Sequence, residues 1–167
     1  LSERFLYEFE RVAGGVGLIA SCDAQGDFPM KEHMKVLCAT GSRYYGAGII
    51  GYLLEQVLGC DFLPSNAEGL SFQERMGVGF KEALDQGLDA PGGLSTILVY
   101  VGEVFRQGAI NVDNSFLLSH PKASARLIKG LIKSKLARRP LLPKDLWTIK
   151  IALGGGTDSA VFRERVQ

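Results

Sequence analysis

The 167 residues suit a single domain, and 46% hydrophobic content is enough to bury a core. A formal net charge of +1 gives no global attraction to nucleic acid or to an anionic membrane. No apolar run approaches the roughly 20 residues of a bilayer span, and no secretory leader is visible.

The first predicted element is a helix over residues 3–20. Phe5, Phe9, Val12 and Val16 fall at spacings of three and four, which makes one apolar stripe. Gly14, Gly15 and Gly17 weaken this helix, each by about 1 kcal/mol against alanine. Residues 21–34 form a polar connection, with turn signals at Gln25-Gly26-Asp27 and Pro29. Lys35 to Thr40 reads as a buried strand, Gly41 to Gly48 (GSRYYGAG) as a loop, and Gly48 to Leu58 as a helix. Cys60 to Leu63 is a short strand stopped by Pro64. Cys22, Cys38 and Cys60 are odd in number and lack a C-x-x-C pair. They read as free, mostly buried thiols in a reducing, cytoplasmic compartment.

Ser71-Phe72-Gln73-Glu74 is a capping box, and the helix it opens runs to about Gln86 and is ended by Gly87. Its stripe is Phe72, Met76, Phe80, Ala83 and Leu84. Leu88 to Ala90 fits a weak strand. Pro91-Gly92-Gly93 reads as a turn into a helix from Leu94 to about Gly108. Residues 109–119 are a connection, and Pro121 starts the next helix, where its missing N–H costs nothing. Leu127, Ile128, Leu131, Ile132 and Leu136 are expected to be the buried face of that helix. Thr148 to Leu153 then reads as a strand, Gly154-Gly155-Gly156 as a tight turn, and Thr157 or Asp158 as the cap of a further helix. The alternation predicts an α/β fold, a mostly parallel sheet flanked by helices within one domain over 1–167, with right-handed crossovers.

The glycine turn is the first candidate for chemistry. GGGTD is neither the G-x-G-x-x-G pattern nor a phosphate loop with its lysine. It is either a tight strand-to-helix turn or a place where the backbone of Gly155 and Gly156 and the cap Thr157 meet a nucleotide or acyl group. The loop Arg43-Tyr44-Tyr45-Gly46 lines an acyl pocket, with Arg43 facing a carboxylate, or else holds core and surface tyrosines beside a turn. From Lys122 to Arg139 there are seven basic residues and no acidic one. Such a run attracts phosphates or is the solvated face of an amphipathic helix, and the lack of interleaved aromatics argues against base stacking. His33 and His120 lie far apart with no ligand pattern, so no metal site is expected. His120 reads as the residue leading into the helix at Pro121, while Asp89 and Glu103 are isolated carboxylates with no assigned role.

Four stretches together carry a resemblance. They are PSNAEGLSFQERMGVGFKEALDQGLD at 64–89, GGLSTILVYVGEVF at 92–105, LSHPKASARLIKGLIKSKLARRPLLPKDLW at 118–147 and GGTDSAVFRERV at 155–166. The chain resembles the bacterial branch of the auxin-responsive acyl-acid amido synthetase family, which belongs to the adenylate-forming enzymes with acyl-CoA synthetases and luciferases. The resemblance implies activation of a small carboxylic acid with ATP and Mg²⁺ to an acyl-adenylate. An amine acceptor, typically an amino acid in the plant enzymes, then attacks the acyl carbon. By the same resemblance, Gly155, Gly156, Thr157 and Asp158 match a strand-end turn that lies against the adenylate. Tyr44, Tyr45 and Gly48 border the acyl pocket, and Gly93, Leu94 and Ser95 begin a helix that faces it.

The chain departs from the family pattern in lacking its phosphate loop, its tyrosine–glutamate segment for Mg²⁺ and ATP, its ribose aspartate and its mobile C-terminal domain. The expectation is therefore an incomplete part of the large N-terminal domain, inactive alone, with no catalytic or metal-binding residue assigned within it. The competing expectation is a non-catalytic α/β binding or interaction module. A nucleic-acid binder using the basic helix is the weaker third, and neither nucleic acid nor membrane is expected as a partner.

Overall fold

The computed structural model describes residues 2–20, 22, 25–28, 30–38, 51, 54–56, 58–66, 68–108, 112–149, 151 and 153–155. The elements are α1 (Glu3–Ala20), β1 (Lys35–Cys38), β2 (Asp61–Leu63), α2 (Phe72–Gln86), β3 (Ala90–Leu94) and α3 (Ser95–Arg106). They are followed by α4 (Asn114–Ser119), α5 (Pro121–Leu136), α6 (Pro143–Leu146) and β4 (Leu153–Gly155). Described positions between 51 and 58 are helical, in agreement with the helix expected there. The rest of that segment and the predicted helix after Gly156 lie outside the described residues.

The strands form one parallel sheet in the order β2-β1-β3-β4. Successive strand residues point to opposite faces, so each face gathers its own core. Val36 and Ala90 enter one cluster with Met30, Met34, Leu54 and Cys60. Leu37 and Leu63 enter the other with Ala83, Leu84, Phe105, Leu146 and Trp147. A sheet buried on both faces is the α/β arrangement that the alternation of elements predicts.

α2 begins as expected. The Glu74 N–H donates to Ser71 Oγ (3.3 Å) and the Ser71 N–H donates to Glu74 Oε2 (2.8 Å). The Ser71 hydrogen bonds hold the Glu74 carboxyl below its ordinary value. Its C-terminal carbonyls find partners from other elements. Ala83 O accepts from the Gly87 N–H (3.0 Å) and from the buried Trp147 indole N–H (2.9 Å), and Leu84 O accepts from the Arg126 guanidinium. Trp147 also stands edge-on to Phe80 and Phe105, with centroids 5.6 and 6.4 Å away. Such pairs contribute about 0.5–1.5 kcal/mol each beyond their burial.

Several expectations need correction. Pro91-Gly92-Gly93 is not a turn but the middle of β3, and α3 follows at Ser95 with no residue between. The last strand is Leu153–Gly155 rather than 148–153, with Thr148 and Ile149 preceding it outside any strand. Its pairing with β3 starts at Gly92, just after Pro91, which has no N–H to give a ladder. The 109–119 connection contains α4. On α5 the buried residues are Ala123, Gly130 and Ser134, whereas Ile128, Leu131, Ile132 and Leu136 are exposed. Phe5, Phe9 and Val12 of α1 and Phe72 of α2 are exposed as well. Of the three cysteines only Cys60 is buried; Cys38 is half-buried and Cys22 exposed.

Two glycines on α2 give opposite predictions. A Cβ on Gly79 would stand 2.6 Å from Leu37 Cδ1 and 3.1 Å from the Pro64 backbone nitrogen, whereas one on Gly77 would meet nothing within 4 Å among the described residues. Gly77→Ala is expected to stabilise by about 0.5–1 kcal/mol through helix propensity alone. Gly79→Ala is expected to destabilise by about 1–2 kcal/mol, overpacking outweighing the same gain. Urea denaturation midpoints that move the same way for both would refute this.

Candidate functional site

The sheet order places a topological switch point between β1 and β3. The chain leaves β1 toward β2 on one side and leaves β3 toward β4 on the other. Connections that diverge in this way open a crevice at the carboxyl ends of the strands, the usual ligand position in open α/β sheets. Cys38 ends β1 opposite Gly92. Gly93 and Leu94 continue β3 opposite Gly154 and Gly155 of β4.

The crevice edge is therefore made of glycine backbone. Gly92 accepts the close neighbourhood of β1, where a Cβ would stand 3.6 Å from Val36 Cγ1 and 3.7 Å from Cys38 Sγ. Gly93 has φ 156°, and among the described residues no atom lies within 4 Å of where a Cβ would stand, so these residues leave its outer face open. α3 begins at once, with no acidic residue in its first turn. Its first N–H groups, which have no partner within the helix, and the positive end of its dipole lie at the same edge. Open glycine backbone beside a helix start suits a phosphate or a carboxylate that needs N–H donors and no side-chain obstruction.

Of the residues singled out from sequence, Gly93, Leu94, Ser95 and Gly155 are brought together here. They come from two stretches more than fifty residues apart, and Gly154 and Gly92 join them. Tyr44, Tyr45, Gly48, Gly156, Thr157 and Asp158 lie outside the described residues. Arg43 does so too. Gly92 was legible as part of a glycine pair, but its place in a strand could not be read without the partner strand. Asp89, given no role from sequence, positions the edge from the other end. Its carboxylate accepts from the Lys35 N–H (3.1 Å) and its own N–H donates to Lys35 O (3.0 Å), fixing the register of β3 on β1.

A cleft of about 540 Å³ lies elsewhere, lined by Arg106, Leu127, Leu131, Ser134, Arg139 and Leu141 among others. It shares no residue with the glycine edge. Its arginines are already matched: Arg106 meets Glu103 at 3.4 Å, and Arg139 clamps Asp145 with two hydrogen bonds of 2.6 and 2.8 Å. The cleft thus offers apolar walls and no unmatched charge, and the glycine edge is the better candidate.

Among the described residues no group of three or more His, Cys, Asp or Glu side chains is gathered to hold a metal. No helix among them is long and apolar enough to cross a membrane. The Cys60 thiol is pushed up by burial and by the charge of Asp61, against a backbone hydrogen bond at Met34, so it stays protonated and unreactive at neutral pH. Comparison with protein-family models, curated proteins and solved structures finds no match to this chain.

The Arg139–Asp145 clamp gives a pH prediction. Hydrogen bonds from Arg139 hold the Asp145 carboxyl down to about 2 from an ordinary 3.8, against its burial and helped by the Leu142 N–H. A folded value below the unfolded one stabilises the native state fully above the unfolded value, and the gain is lost as pH falls through the folded value. Stability should therefore decline between about pH 4 and pH 2. Asp145→Asn should be less stable at pH 7 and show a flatter decline over that interval in urea titrations. Parallel pH profiles for the two proteins would remove the clamp from the account.

Proposed function

We propose that this chain is part of an ATP-dependent ligase that activates a carboxylic acid as its acyl-adenylate and passes the acyl group to an amine, with an amino acid as the favoured acceptor. The observation that carries the reading is the meeting of Gly93 and Leu94 with Gly154 and Gly155 at the carboxyl edge of a parallel sheet, beside a switch point. These are the two stretches that the resemblance assigns to the acyl pocket and to the adenylate turn. Their adjacency supports one ligand lying across both.

A carboxylate is a poor electrophile because its leaving group would be oxide. Joining it to AMP and releasing pyrophosphate supplies a good leaving group, and the amine then displaces AMP at the acyl carbon. In this reading Gly93, Leu94 and Ser95 orient the acid, with the start of α3 favouring its negative charge before activation. Gly155 and Gly156 let the adenylate approach the backbone, and Thr157 offers a hydroxyl to it. Tyr44, Tyr45 and Gly48 wall the acyl group from water. ATP and Mg²⁺ are required by the chemistry. The ion is not assigned to any described residue, and no catalytic side chain is assigned within the chain. The acting compartment in this reading is the cytoplasm.

Acid-dependent ATP–pyrophosphate exchange by the protein that contains this chain, measured across aliphatic and aromatic acids, tests the reading. Exchange is expected with at least one acid. Gly155→Val and Thr157→Val should each lower it by about tenfold or more, as the loss of positioning contacts does. The 167-residue chain alone should show none. Failure with every acid, or exchange indifferent to both substitutions, would favour a non-catalytic α/β binding module instead.

A further inference from the structure

α5 is amphipathic in the reverse of the usual sense. It turns its small residues and Leu127 inward and its other large apolar residues to solvent. Gly130 is packed so closely that a Cβ there would lie 2.6 Å from Leu146 Cδ2 and 3.1 Å from Leu141 Cδ1, and Ala123 is fully buried. On the far side Ile128, Ile132 and Leu136 repeat every four residues with 57%, 54% and 81% of their surface exposed. Leu131 and Leu118 are exposed as well. A row at this spacing is a ridge of the kind that seats in the groove of another helix. Leaving it in water forgoes the burial that normally holds an amphipathic helix in place.

The charges around the row are of one sign. Lys129 and Lys133 follow it on one side, Lys135 lies on the other, and Lys122 and Arg138 extend the field; all are exposed. Arg126 and Arg139 are already engaged by Leu84 O and Asp145, so they do not contribute to the outer face. From Asn114 to Lys144 the sequence holds no acidic residue.

We propose that the outer face of α5 docks an amphipathic helix with acidic flanks, supplied by a partner protein. The apolar row supplies the contact area, and the lysines select carboxylates on either side of the partner's own row, as flanking charges do in paired helices. A second copy meeting this face symmetrically would set lysine against lysine. A lipid surface is less well matched, because the face carries no Trp or Tyr to sit at headgroup level. The docking face is separate from the glycine edge, so this inference does not depend on the ligase reading.

A labelled synthetic helix with Leu at heptad positions a and d and Glu at e and g is the probe, and its twin carries Lys in place of Glu. Fluorescence anisotropy against the full chain should show micromolar binding of the Glu helix and about tenfold or weaker binding of the Lys twin. Affinity should fall as salt is raised, because the lysines are exposed. Ile132→Asp should reduce binding at least about tenfold, since it puts a charge in a row that must lose water. Its exposed position should leave the circular dichroism and urea midpoint unchanged. The paired substitution Lys129→Glu/Lys133→Glu should exchange the preference to the Lys helix and serves where Ile132→Asp alters folding. Equal binding of the two helices, or no effect of either variant, would overturn the proposal. So would partition onto phosphatidylserine vesicles without binding of the Glu helix, or self-association of the chain that Ile132→Asp abolishes.

Discussion

The indole of Trp147 is the contact on which most of the described structure depends. Its N–H satisfies the Ala83 carbonyl near the end of α2, and its ring fills the space between Phe80 of α2 and Phe105 of α3. A buried N–H without this acceptor would cost about as much as several ordinary hydrogen bonds contribute, so ring and helix end fix one another. The same residue directly follows α6, and six residues later the chain enters β4. Position and angle of the last strand are thus set from a point already anchored in the larger of the two cores.

That anchoring explains how the glycine edge is assembled. β3 and β4 have few side chains of their own with which to specify a register. Gly92, Gly93, Gly154 and Gly155 contribute none. Asp89 on Lys35 fixes β3 on β1 at one end, and the chain that leads to β4 is anchored at Trp147. A sheet edge of bare backbone is useful only if something else holds it still, and packing two helices away does so.

The parts of the fold that were legible in the sequence are those governed by local chemistry. Ser71 and Glu74 form the capping box because both partners lie within four residues. Pro64 and Gly87 stop their elements for reasons contained in their own backbone. β1 and β2 were legible as short apolar runs, and the alternation of helices with strands along the chain implied the parallel sheet. What the sequence hid depends on partners distant along the chain. Pro91-Gly92-Gly93 has the composition of a turn and becomes a strand only because β1 and β4 flank it. α5 carries two stripes, one large and apolar, one small, and periodicity finds a stripe without saying which faces in. Gly130 settles it: the approach of Leu146 and Leu141 admits only a residue with no side chain. Of the candidate site, the glycines were legible individually, but their meeting was not, since it requires the order β1-β3-β4.

The passage from β3 to α3 has no residue to spare, and that has a mechanical consequence. A helix joined to its strand without a flexible linker cannot absorb a change in the strand's last peptide by bending a loop. It must swing. α3 has 12 residues and is about 18 Å long, so a tilt of about 5° at Gly93 carries its far end by about 1.5 Å. That far end is Arg106, on the wall of the cleft that shares no residue with the glycine edge. One rigid element thus joins the glycine edge at its start to a second, separate hollow at its end, with Phe105 held between Phe80 and Trp147 along the way.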